Sequence, residues 1–139
     1  MIIEYICVIS SILAALTLYK ATNTEERFFR AIRYVETRCV YNPPAGDNGR
    51  SIGPYQIQKA YWLDSGVPGK WEDCKNEAYA RRVMIAYWQR YCPLAWKERR
   101  WEILARVHNG GPRGHLIKAT EKYWNLVRAR MIRDTILLP

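Results

Sequence analysis

The sequence predicts an α+β domain that is mostly helical, with one small β-hairpin forming a wall of a cleft. Three observations predict it. Apolar residues recur at helical spacing over most of the chain. One interruption rich in glycine and proline, residues 42–54, carries Asn48-Gly49, a tight-turn dipeptide, ahead of Tyr55-Gln56-Ile57. No internal repeat or low-complexity linker divides the 139 residues, which suit one domain with a modest core.

The elements follow in order. Residues 5–19 carry no charge and lie between Glu4 and Lys20. The run is short of the ~20 residues that span a bilayer, and it fits the apolar core of a signal peptide. Residues 1–21 are therefore expected to be a cleaved leader or an uncleaved N-terminal anchor, with a membrane as partner only in the second case. Thr22-Asn23-Thr24-Glu25-Glu26 then reads as a helix start, with a capping residue and acids in the first turn. The helix is predicted over about 25–37, with Phe28, Ile32 and Val35 on one stripe and Glu36 beside it near the helix end. Asn42-Pro43-Pro44-Ala45-Gly46 breaks the pattern, and the residues around Asn48-Gly49 are expected to form the hairpin, its second strand including Tyr55-Gln56-Ile57. A short helix is predicted over 59–65, ending at Gly66. Another is predicted over about 72–91, where Tyr79, Val83, Ala86 and Tyr87 keep helical spacing and Pro93 stops it. Trp101, Leu104, Ala105 and His108 place a helix over about 97–108, closed by Gly110-Gly111-Pro112. A last helix covers about 116–132.

Charge and cysteines bound the partners. The net charge is +9, and removing residues 1–21 leaves it so because Glu4 and Lys20 cancel. Such a protein is drawn to polyanions. The basic residues are scattered and carry no nucleic-acid motif, so no nucleic acid is expected; anionic bacterial surfaces suit the sign. Six Trp and ten Tyr serve both a core and a groove in which flat rings stack on sugars. Outside the leader remain Cys39, Cys74 and Cys92, which allow one disulfide and one free thiol in an exported product. Two histidines without paired spacing predict no metal, and the chemistry below needs no cofactor.

Two carboxylates draw the eye. Glu36 is flanked by Phe29, Ile32 and Val35, where poor solvation favours the protonated acid; Asp47 sits eleven residues later in the glycine-rich turn. Carboxyls on facing walls of a groove are the equipment of glycoside hydrolysis, one protonating the leaving oxygen and the other attacking or stabilising the sugar cation. Each also has a structural reading: Glu36 as a helix-end partner of Arg33 or Arg38, Asp47 as a turn residue bonding local amides.

Three segments decide the matter at this level. Gly46-Asp47-Asn48-Gly49-Arg50-Ser51-Ile52-Gly53-Pro54-Tyr55-Gln56-Ile57, Tyr61-Trp62-Leu63-Asp64 and Ala105-Arg106-Val107-His108-Asn109-Gly110-Gly111-Pro112 together resemble the invertebrate-type (destabilase) lysozymes. More distantly they are similar to goose-type lysozymes and lytic transglycosylases. The resemblance covers about residues 28–128. It implies that residues 22–139 form a lysozyme-like catalytic domain, secreted into an extracellular or digestive compartment. Its substrate would be the peptidoglycan glycan strand, cut between N-acetylmuramic acid and N-acetylglucosamine. Glu36 would be the general acid and Asp47 the nucleophile or ion stabiliser. Ser51, Tyr55 and Gln56 would line the hairpin wall, alternate residues facing the groove, and Tyr61, His108, Asn109 and Gly110 would complete the substrate contacts. Two other readings remain open here: a transglycosylase that works with Glu36 alone, and a non-catalytic cationic binder of bacterial walls. The Ser and His residues of the chain sit in no nucleophile signature, so an isopeptidase activity gains little support.

Overall fold

A computed structural model describes residues 2–137. Six α-helices and one two-stranded antiparallel sheet follow the chain: α1 Ile2–Thr37, β1 Ser51–Ile52, β2 Ile57–Gln58, α2 Lys59–Ser65, α3 Glu77–Tyr91, α4 Pro93–Lys97, α5 Trp101–Gly110 and α6 Thr120–Leu137. Short 3-10 turns lie at Asp47–Gly49, Trp71–Lys75 and Gly114–Leu116. The fold is thus α+β and mostly helical, as the periodicity predicts.

The predicted helix start at 22–26 is not there. No glycine or proline interrupts residues 2–37, and α1 runs through them as one helix. The threonines expected to cap it instead donate back along it, Thr22 to the carbonyls of Leu18 and Tyr19 and Thr24 to that of Lys20. Large apolar side chains from Ile6 to Tyr19 are exposed, and burial begins only at Phe28.

Phe28, Phe29 and Ile32 of α1 meet Val83, Met84 and Trp88 of α3 and Leu104 and Val107 of α5, all essentially without solvent exposure. Each such side chain contributes about 1.5–3 kcal/mol relative to an exposed one. Trp88 is the hub. Its ring lies 5.8 Å from both Phe28 and Phe29, and its indole N–H donates to the Leu104 carbonyl at 3.0 Å. α6 closes the domain against α1 and α5 through Tyr123 and Val127.

Helix ends follow local chemistry. α2 stops where Gly66 takes a left-handed conformation at φ 68°. The stretch predicted as one helix over 72–91 is a 3-10 turn and then α3, because Asn76 caps the helix by accepting from the Tyr79 amide at 3.0 Å. Pro93 ends α3 and also opens α4, where its missing N–H costs nothing. The helix predicted over about 97–108 is α5, which starts later, at Trp101, and runs on to Gly110, while Lys97 closes α4.

The hairpin differs most from expectation. Asn48-Gly49 does not turn it; with Asp47 and Asn48 both left-handed, it forms a 3-10 turn ahead of β1. The reversal is Gly53-Pro54-Tyr55-Gln56, and the register pairs Ser51 with Gln58 and Ile52 with Ile57. Gly53 is required here, at φ 75° with its Cα against the backbone carbonyl of Cys74. Cys39, Cys74 and Cys92 are all free thiols, so the predicted disulfide is not formed. Burial, then Asp73 and Glu72, push the Cys74 thiol up to about 12, and burial pushes Cys92 up to about 11.

Candidate active site

A cavity of about 320 Å³ opens between the end of α1, the hairpin, α2 and the end of α5. Glu36 and Asp47 both line it, as do Ser51, Gln56, Tyr61, His108 and Asn109. Seven of the nine sequence-predicted site residues therefore share one cavity, though they lie on five elements, α1, the 3-10 turn, β1, α2 and α5, and on the hairpin reversal.

Glu36 reaches the cavity from the last turn of α1, its side chain one-fifth exposed. It pairs with neither Arg33 nor Arg38. Arg33 is taken by Glu77 at 2.6 Å, and the Arg38 guanidinium lies over the Tyr34 ring. Instead Glu36 Oε1 accepts the hydroxyl proton of Tyr123 at 2.7 Å, and His108 Nε2 lies 3.5 Å from the same oxygen. Burial, then the neighbouring Glu36 charge, hold the Tyr123 phenol well above its ordinary range, so it stays a neutral donor.

His108 is nearly buried. Its Nδ1 is 3.4 Å from the Tyr61 hydroxyl, which links α2 to α5 beside the acid. Tyr61 in turn stacks on Tyr87 with ring centres 3.7 Å apart and planes 12° from parallel, which fixes the ring at the cavity wall.

Asp47 faces Glu36's cavity from the 3-10 turn. Its Oδ2 accepts from Ser51 Oγ at 2.7 Å and from Gln58 Nε2 at 3.4 Å. These two donors, Ser51 first, lower the pKa below the usual value and so favour the anion. Ser51 is buried and spends its proton on Asp47. Gln56 lines the cavity from a left-handed backbone at φ 50°, with Nε2 donating to the carbonyls of Gly53 and Pro44. Asn109 is exposed at the cavity edge.

Two predicted residues lie elsewhere. Tyr55 is wholly buried, its hydroxyl donating to Glu77 Oε1 at 3.0 Å and accepting from Arg81 Nε at 2.9 Å. The alternation rule fails there because Tyr55 lies in the reversal, not in a strand. Gly110 packs α5 onto α6; a Cβ on it would meet Thr120 Cγ2 at 2.7 Å. Its neighbour Gly111, at φ 81°, is the one that borders the cavity.

Sequence reasoning missed Gln58, Asp64, Tyr87 and Tyr123. Asp64 lines the cavity three residues after Tyr61, one helical turn along the same face of α2, and accepts from the Tyr91 hydroxyl at 3.0 Å. Gln58 sits opposite Ser51 in the register. Tyr123 is a core residue marked out by its hydroxyl, since a buried phenol needs an acceptor. Trp62 goes to the core, its indole N–H donating to the Tyr79 hydroxyl at 2.8 Å. Among the described residues no group of three or more His, Cys, Asp or Glu is placed to hold a metal ion.

A helix-end glutamate and a turn aspartate on one cavity invite comparison with known proteins. The destabilase family profile matches residues 25–130. The chain belongs to the destabilase family, that of the invertebrate-type lysozymes. Among its relatives, Lysozyme 1 of Crassostrea virginica is 39% identical over 104 residues, which are 67% of this chain and 56% of that protein. A lysozyme of Meretrix lusoria is 43% identical over 77 residues, 54% of this chain and 63% of the relative. The chain thus spans little more than half the length of these curated relatives. Invertebrate-type lysozyme 6 of Caenorhabditis elegans is 32% identical over 133 residues, 84% of this chain and 94% of that protein. Among solved structures, inhibitor-bound lysozyme from Meretrix lusoria superposes with a TM-score of 0.63 at 34% identity, covering 74% of this chain and 87% of that one. Tapes japonica lysozyme gives 0.61 at 34%, covering 73% and 86%.

Proposed function

We propose that this destabilase-family protein is a muramidase, hydrolysing the β-1,4 bond between N-acetylmuramic acid and N-acetylglucosamine in bacterial peptidoglycan. The observation that carries the reading is the shared cavity of Glu36 and Asp47, one carboxyl on a helix end and the other on the turn before the hairpin. Glu36 protonates the leaving glycosidic oxygen. Asp47, kept anionic by Ser51 and Gln58, attacks the anomeric carbon or stabilises its positive charge from the other side. Water then releases the second sugar, with Glu36 taking back a proton. Tyr61 on its Tyr87 backing offers a flat face to a sugar ring, and Asn109 stands at the rim. The uncharged run 5–19 supports export through a leader, and the +9 charge supports attraction to anionic bacterial surfaces.

A second reading has an observation of its own. Asp47 Oδ2 is held within its own turn by Ser51, as in a purely structural turn aspartate, and the protein would then be a transglycosylase using Glu36 alone. Mass spectrometry of digested, purified peptidoglycan separates the readings. A reducing-end muramic acid supports hydrolysis, and an anhydromuramic end supports the transglycosylase. Absence of any product sinks both in favour of a non-catalytic wall binder.

A further inference from the structure

We infer that Tyr123 is a positioning residue that decides which oxygen of Glu36 delivers the proton. The inference rests on the glycosidase reading above.

The Tyr123 hydroxyl has one proton and, among the described residues, one acceptor, Glu36 Oε1 at 2.7 Å. The side chain is over nine-tenths buried, so turning that proton elsewhere would leave a buried donor unsatisfied. Oε1 therefore accepts. It also lies 3.5 Å from His108 Nε2, whereas Oε2 has no partner among the described residues. Glu36 itself borders the cavity. With Oε1 held from the α6 side as an acceptor, the acid proton resides on Oε2, the oxygen left to the cavity and to a glycosidic oxygen within it. Tyr123 touches no substrate in this arrangement. It acts through Glu36, keeping the carboxyl from rotating and from placing its proton against the protein. The groups facing the carboxyl are His108 from α5, Tyr61 beyond it from α2 and Tyr123 from α6, with Asp47 on the same cavity.

The test is Tyr123→Phe in the full chain, assayed on a soluble oligosaccharide of alternating N-acetylglucosamine and N-acetylmuramic acid. The ring still fills its site. We expect kcat to fall about 10- to 100-fold, less than the roughly 100- to 1,000-fold of a donor that contacts the reacting oxygen itself, with KM within about twofold. The alkaline limb of the kcat profile, where the donor proton is lost, should move to higher pH, because a carboxylate deprived of a hydrogen-bond donor holds its proton more tightly. Incorporating 3-fluorotyrosine at position 123, a stronger donor of nearly the same shape, should move that limb the opposite way without changing the melting temperature. It decides the matter if the Phe variant fails to fold. Unchanged kcat in Tyr123→Phe, or an alkaline limb indifferent to fluorination, overturns the role of Tyr123 while leaving the glycosidase reading intact. An inactive wild-type protein overturns both.

Discussion

Ser51 Oγ donates to Asp47 Oδ2 across 2.7 Å, so the first residue of the hairpin holds the carboxylate of the turn that precedes it. The bond links the backbone register to the chemistry, since Ser51 is fixed by its pairing with Gln58, the second donor to the same oxygen. Asp47 is solvated, and its pKa is lowered from 3.8 by these donors. A carboxylate with a depressed folded value adds stability above its unfolded value and loses that contribution as pH falls through the folded one. The Asp47 carboxyl carbon, followed by NMR, should therefore titrate below 3.8 in the wild type. In Ser51→Ala it should titrate closer to 3.8. A midpoint that ignores Ser51 would show that the hydroxyl does not govern the charge.

Glu36→Gln and Asp47→Asn separate the two mechanisms. Glutamine keeps the acceptor for Tyr123 and loses only the transferable proton, so wall lysis should fall at least about a thousandfold with the melting temperature preserved. If Asp47 attacks or stabilises the sugar, Asp47→Asn should be nearly as damaging, because residues that act as one unit lose their function together. Asparagine retains an oxygen for Ser51, so the turn should survive. Activity within about tenfold of wild type would assign Asp47 to the turn alone.

Tyr55 belongs to a partly buried polar network, which Tyr55→Phe tests. The Tyr55 hydroxyl bridges Glu77 and Arg81, and Arg81 also holds both oxygens of Glu26 at 2.7 and 2.8 Å. Removing it takes one bridge out of a partly buried network that joins α1, the hairpin turn and α3. We expect a loss of about 1–3 kcal/mol in urea unfolding, with kcat/KM within about twofold. A variant of full stability and tenfold weaker substrate binding would return Tyr55 to the groove.

What the sequence made legible follows from how far each signal reaches along the chain. Helix stripes and their stops are local, so α2 is recovered to the residue, from Lys59 to its left-handed Gly66. Glu36 beside Phe28, Ile32 and Val35 is local too, and its place at the cavity follows. The hairpin turns at Gly53 and not at Asn48 because Asn48-Gly49 and Gly53-Pro54 are rival turn signals four to five residues apart, and the fit of Gly53 against the Cys74 backbone selects the second. That choice moved Tyr55 from strand to turn. Tyr123 lies 87 residues from Glu36, and no pattern within one helix says that its hydroxyl meets that carboxyl.

The cavity is bordered by Glu36, Asp47 and Asp64, with no Lys or Arg among its lining residues, although the whole chain carries +9. On the proposed function, attraction to an anionic wall and contact with the sugar would thus belong to different surfaces. Screening acts on the first, since the Debye length falls to about 3 Å at 1 M salt from about 8 Å at physiological strength. Lysis of whole cells should therefore weaken steeply with added salt, while cleavage of a short uncharged oligosaccharide should change less than about twofold. Parallel loss on both substrates would mean that charge acts within the cavity itself. Equal indifference would mean that the basic surface plays no part in reaching the wall.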